Sequence, residues 1–145
     1  MIKKILVAYD NGSKAKIALE TAIDIALGCQ AEIHLMTSVK MSDFVSSVAP
    51  PEVLRDLEGK GREYFEEVLK EPEARVKKEG IKVITVILKE RPGEAIVRYA
   101  EKEGIDLIVM GSANRSNLES LLLGLGSVSN YVINHANRPV LVANG

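Results

Sequence analysis

Two short, almost unbroken apolar runs constrain this chain more than any other feature: Ile5-Leu6-Val7-Ala8-Tyr9 and Ile105-Asp106-Leu107-Ile108-Val109-Met110. Each ends abruptly in turn-forming residues, Asp10-Asn11-Gly12-Ser13 after the first and Gly111-Ser112 after the second. Apolar side chains at successive positions suit a strand covered on both faces, which is the condition of a central strand in a parallel sheet. Three further β-rich runs are Glu32–Val39, Ile81–Leu88 and Pro139–Ala143. The runs at 32–39 and 81–88 partly alternate, as expected nearer a sheet edge.

Helical patterns separate these runs. In Lys14–Leu27 the residues Ala15, Ala18, Leu19, Ala22 and Ala26 fall on one face, and Gly28 stands where a C-cap belongs. Pro51–Glu79 is strongly charged, with Leu54, Leu57, Phe65, Val68 and Leu69 as its apolar members; Gly59 and Gly61 weaken it, Pro72 is expected to break or kink it, and Gly80 ends it. The charges of Glu63–Lys78 read as a solvated face. Pro92–Glu103 has proline in its first turn and Gly104 as its stop, and Ser127 is a natural N-cap for Ser127–Ala136. Strands alternating with helices imply an α/β fold with a parallel sheet, helices on both faces and right-handed crossovers. Ligands in such folds bind beyond the carboxyl ends of the strands, where the strand order reverses. If the first and fourth strands flank that reversal, Asp10 and Gly111 line one crevice. Lys40–Pro50 then reads as a mobile loop over the same end.

Composition excludes several function classes. The chain has 145 residues, as expected for one domain spanning 1–145, and its net charge of −1 supplies no basic field for nucleic acid. There is no tryptophan to build a base-stacking platform, and the single cysteine, Cys29, excludes an intrachain disulfide. The apolar run near the amino terminus is too short for a signal peptide or a membrane span, so a cytoplasmic protein is expected. His34 and His135 lack a partner carboxylate or cysteine at metal spacing and read as structural. Asp106 opens the fourth strand at the opposite end of the sheet and also reads as structural. No nucleophile, base and orienting group stand together, and no Walker A loop is present, so turnover beyond slow ATP hydrolysis is not expected.

The stretch after the fourth strand is the chemical centre of the sequence. Gly111-Ser112 leads into the polar run Ala113–Asn117, then Leu121-Leu122-Leu123-Gly124-Leu125-Gly126-Ser127, where a helical pattern begins. Glycines let backbone amides approach an anion closely, and a helix N-terminus adds unpaired N–H groups and a positive dipole end. The arrangement reads as a cradle for phosphate groups.

These residues resemble the universal stress protein family. The likeness runs from Val109-Met110-Gly111-Ser112 through Gly126-Ser127-Val128-Ser129 to Asn137-Arg138-Pro139-Val140-Leu141-Val142. It also covers Ile5–Asp10 with Ala18-Leu19, then Gly93-Glu94-Ala95-Ile96 and Gly104–Gly111. The resemblance implies a three-layer, Rossmann-like fold of the adenine nucleotide alpha hydrolase-like type, with a five-stranded parallel sheet in the order 3-2-1-4-5. Some members bind ATP through a glycine signature, G-x2-G-x9-G-[ST], and others lack it. Here Asn114 replaces the second glycine, and Leu125 follows Gly124, so the Gly-Ser pair arrives two positions late as Gly126-Ser127. Asparagine is the residue next most tolerant of left-handed backbone geometry, so the first departure is a partial loss.

Carried over residue by residue, the resemblance implies ATP as ligand, accompanied by magnesium or manganese. Ala8, Tyr9 and Asp10 would lie near the adenosine, and Ser38 would meet the adenine through its backbone. Met110 and Gly111 would flank the ribose and first phosphate. Asn114, Gly126, Ser127, Val128 and Ser129 would donate to the phosphates, and Arg115 would balance their charge. Tyr9, bulkier than usual there, would stack on the base or fill its pocket. Asp10 has a plainer reading as a cap for the first helix. The family commonly dimerises through its last strand, so 139–143 is expected to pair antiparallel across a two-fold axis. The functional expectation is an adenine-nucleotide-binding regulatory protein of the stress response, with no nucleic-acid or membrane partner. The alternative is a nucleotide-free dimeric interaction module, favoured by Asn114, the longer loop and Tyr9. A hydrolase or nucleotidyl transferase on the same scaffold is the third reading.

Overall fold

Strand β1 (Lys4–Ala8) sends Ile5 and Val7 to one face and Leu6 and Ala8 to the other, and the rest of the molecule is arranged around that division. The computed structural model describes residues 1–38, 47–112 and 128–144. The remaining strands are β2 (Glu32–Ser38), β3 (Val83–Leu88), β4 (Leu107–Gly111) and β5 (Val140–Ala143). The helices are α1 (Ser13–Cys29), α2 (Pro51–Lys78), α3 (Pro92–Lys102) and α4 (Val128–His135). All pairings are parallel and the order is β3-β2-β1-β4-β5, as the resemblance implied. Ile5, Val7, Ile33, Leu35, Leu107 and Val109 pack under α1 and α2. Leu6, Met36, Ile108 and Met110 pack under α3 and α4. The chain therefore winds outward from β1 to β3, crosses to β4 and winds outward again, so the order reverses between β1 and β4.

The central strands are buried as their apolar runs demand: Ile5, Leu6, Val7, Ile108 and Val109 are all sealed from solvent. Strand β2 is one strand in from the edge, as the order implied. It lies inside the sheet between β1 and β3, and Ile33 through Thr37 are all buried. Its polar positions are nevertheless buried, and His34 finds partners inside: its ring nitrogens lie 2.7 Å from the Tyr99 hydroxyl and 3.3 Å from Glu32 Oε1. Glu32 is thus a carboxylate partner two residues away on the same face of the strand, where the sequence had shown none. Burial alone would push the Glu32 carboxyl up, but hydrogen bonds from His34 and Lys82 hold it below its ordinary value. An ionised Glu32 only accepts, so His34 Nε2 donates to it and, in the neutral ring, Nδ1 accepts from Tyr99.

Helix ends also depart from the sequence reading. Helix α1 runs through Gly28 to Cys29, and its C-cap is Gln30 in the left-handed region at φ 57°, donating its N–H to Ala26 O. The expected apolar face holds, with Ile23 added to Ala15, Ala18, Leu19, Ala22 and Ala26. Helix α2 is continuous through Pro72, Gly59 and Gly61. The proline survives because its ring is buried in line with Leu69 and Val76, at the three- and four-residue spacing that presses this helix on the sheet. Apolar packing there offsets the roughly 3 kcal/mol that an interior proline costs. Gly80 and Gly104, both at positive φ, end α2 and α3 as expected.

Candidate functional site

The reversal between β1 and β4 sets the site. Parallel pairing aligns Ala8 with Met36 on one side and with Met110 on the other, and β4 ends at Gly111 beside Ala143 of β5. The carboxyl end of the sheet therefore brings together Ala8, Tyr9, Asp10, Ser38, Met110 and Gly111. Val128 and Ser129 open α4; Ser129 is buried and Val128 exposed. Asn114, Arg115, Gly126 and Ser127 lie outside the described residues, as does the 40–46 part of the expected loop.

Local chemistry explains each member. Met110 is buried in the α3/α4 layer and Ala8 packs partly buried beside it. Tyr9 extends the pairing of β1 by donating its N–H to Met36 O at 2.8 Å. Its side chain turns to the opposite face, 5% exposed within the α1/α2 core, with its hydroxyl 3.3 Å from Asn11 Oδ1. Burial first, then the Glu71 and Asp10 carboxylates, push the Tyr9 phenol above its ordinary value. Asp10 is exposed, and its Oδ1 accepts the Gly12 N–H at 2.8 Å, an Asx-turn. Asn11 between them is left-handed at φ 66°. Gly12 is the N-cap of α1 and supplies no side chain to cap it, and the first turn carries no acidic residue. Asp10 thus shapes the turn before the helix instead of capping it.

Two expected site residues are engaged by the protein itself. A Cβ on Gly111 would stand 2.7 Å from the Lys14 carbonyl carbon and 2.9 Å from Ala15 N, so the close approach of α1 already demands glycine there. The Ser38 hydroxyl donates to the carbonyls of Leu88 and Glu90, tying the end of β2 to the end of β3. Both engagements leave main-chain groups as what these residues offer at the rim.

An adenine nucleotide needs acceptors for its hydroxyl and amino groups and donors for its phosphates. The described edge fits the first need through the exposed Asp10 carboxylate, and the second through the uncapped start of α1, whose dipole end is positive. Among the described residues, no three His, Cys, Asp or Glu side chains are placed to share a metal ion. No described helix is long and apolar enough to cross a membrane. An open groove of about 520 Å³ lies at the other end of the sheet, bordered by Lys3, Leu27, Gln30, Gly80 and Lys82. It holds none of the residues that the resemblance singles out, and the strand reversal favours the carboxyl end.

Comparison with known proteins agrees with this fold. The model of the universal stress protein family matches residues 1–144. Universal stress protein MJ0531 of Methanocaldococcus jannaschii is 36% identical over 144 residues, covering 98% of this chain and 82% of its own. The solved structure of MJ0577 from the same organism superposes with a TM-score of 0.84 at 34% identity, covering 99% of this chain and 96% of its own. A universal stress protein solved in complex with cAMP superposes at 0.75 with 22% identity, covering 99% and 97%. Two more, from Archaeoglobus fulgidus with dAMP and from Arabidopsis thaliana with AMP, give 0.66 and 0.68 at 20% identity; they cover 99% of this chain and 98% and 93% of their own. At those lower identities the likeness is one of fold. With the whole length matched by the family model and a close relative agreeing in both sequence and architecture, the chain belongs to the universal stress protein family.

Proposed function

We propose that residues 1–145 act as one adenine-nucleotide-binding regulatory domain in the stress response, taking ATP with magnesium or manganese in the cytoplasm. The observation that carries this reading is the exposed Asp10 carboxylate beside the uncapped first turn of α1, at the strand reversal. Ala8, Tyr9 and Asp10 take the adenosine, with Tyr9 contributing its main chain, and Ser38 presents its backbone to the base. Met110 and Gly111 flank the ribose and first phosphate. Asn114, Arg115, Gly126, Ser127, Val128 and Ser129 hold the phosphates. Strand β5, at the edge of the sheet, pairs with its copy in a homodimer. Relatives of this fold solved with cAMP, dAMP and AMP support the choice of an adenine nucleotide. Calorimetry with magnesium-ATP and with AMP tests it: saturable heat is expected, and none at millimolar nucleotide removes the reading.

One observation favours the nucleotide-free interaction module. Gly111, the glycine at the start of the proposed phosphate cradle, is already required by the approach of α1 and needs no ligand to explain it. Native mass spectrometry of gently purified protein separates the two readings, since bound ATP or AMP dismisses the second.

A further inference from the structure

The geometry points to Tyr9 as a positioning residue, one that holds the Asp10 carboxylate at the crevice from the far side of the turn. The inference rests on the nucleotide reading above and adds a role that the side chain performs without touching ligand. Three linked observations support it. The phenol is anchored, 5% exposed among α1, α2 and sheet residues, so its hydroxyl is a fixed point. That hydroxyl lies 3.3 Å from Asn11 Oδ1 and donates to it, because an amide oxygen only accepts. Asn11 carries the left-handed φ of 66° that swings the chain back, and this conformation lets Gly12 N–H reach Asp10 Oδ1 at 2.8 Å.

A left-handed residue other than glycine costs free energy and persists only where its surroundings over-determine it. Here the surroundings are the phenol on one side and the Asx-turn on the other. With Oδ1 occupied by Gly12, the carboxylate of Asp10 presents its second oxygen to the crevice in one orientation. Loss of the Tyr9 hydroxyl releases Asn11, and the turn then samples extended backbone in which Asp10 points elsewhere. The anchor also lies in the same layer as α2, whose Glu71 is close enough to raise the Tyr9 phenol.

The test is a double-mutant cycle on the full chain with Tyr9→Phe and Asn11→Gly, read by magnesium-ATP affinity and by the solvent-exchange rate of the Gly12 amide in nucleotide-free protein. Tyr9→Phe keeps the buried ring and is expected to weaken magnesium-ATP by about 3- to 10-fold, the span of a single neutral hydrogen bond. Gly12 exchange should quicken several-fold. Glycine at 11 adopts the left-handed region without help, so in the Asn11→Gly background Tyr9→Phe should change neither readout. A general packing role predicts the opposite, equal effects of Tyr9→Phe in both backgrounds, and that result overturns the proposal. So does an unchanged Gly12 exchange rate in Tyr9→Phe. If wild-type protein binds no magnesium-ATP while Gly12 exchange still responds, the phenol holds the turn for another purpose, and the positioning role in nucleotide binding falls with the proposed function.

Discussion

Asp10 and Asp106 border the same pair of central strands at opposite ends, and the contrast between them separates a carboxylate used by the fold from one left for something else. Asp106 Oδ2 accepts the N–H groups of Lys3 and Lys4 at 2.9 and 3.0 Å, closing the amino end of β1 onto the start of β4. The Lys3 amide is the main cause that holds its carboxyl below the ordinary value, with the Lys4 amide adding to it against a smaller cost of burial. Asp10 spends one oxygen on its own turn, across two residues, and stands exposed. Residue type and strand position are shared; the difference lies in which end of a parallel sheet each occupies. At the amino end, neighbouring backbone N–H groups consume the charge. The carboxyl end has turns and a helix start that leave it available.

The comparison can be broken or sharpened by experiments of decreasing effect. The largest concerns Gly111. Alanine there drives a methyl into the backbone of α1, which has no side-chain torsion with which to yield. Urea denaturation of Gly111→Ala should show a loss of about 1–3 kcal/mol, the usual range for overpacking. A neutral substitution would mean that α1 is not fixed at the carboxyl end and that the site there is poorly formed. Next is Asp10→Ala, which should leave the urea midpoint nearly unchanged and weaken magnesium-ATP by about 10- to 100-fold, as expected for a hydrogen bond to a charged group. If it instead destabilises the protein as much as loss of Asp106 does, the two aspartates are equivalent and the contrast fails.

Asp106→Asn should cost on the order of 1 kcal/mol of stability after allowance for solvent screening, with nucleotide affinity untouched. The smallest effect is its pH dependence. The folded carboxyl titrates below its unfolded value, so its stabilisation is complete above the ordinary aspartate value of 3.8 and is lost as pH falls through the folded value. The stability gap between wild type and Asp106→Asn should therefore be constant at neutral pH and shrink below about pH 4. A gap that grows on acidification contradicts the assignment.

Most of the fold was legible because its strongest signals are local. The nearly unbroken apolar runs at 5–9 and 105–110 mark β1 and β4, and the alternation of periods implies the parallel class. Strand order came through resemblance, since nothing in a single strand's side chains says which neighbour it takes. What misled was tertiary compensation. The burial of His34 was hidden because its partner Tyr99 is 65 residues away. Pro72 looked like a break because the burial that tolerates it belongs to the sheet beneath. Gly28 looked like a cap, but Gln30 adopts the left-handed conformation in its place. At the site, sequence placed Asp10 and Gly111 at one edge correctly. It did not reveal that α1 fills the space beside Gly111 or that the Tyr9 ring turns into the core. Both facts depend on which face each side chain meets.

The Asp106 clamp joins residues 103 positions apart in sequence, and β1 itself pairs with a strand that begins at Leu107. Strand β1 therefore gains its second neighbour only when β4 has been made, and β4 in turn waits for β5. Until β4 is made, β1 offers an open apolar ladder to any passing strand, so chains truncated before residue 111 are expected to aggregate.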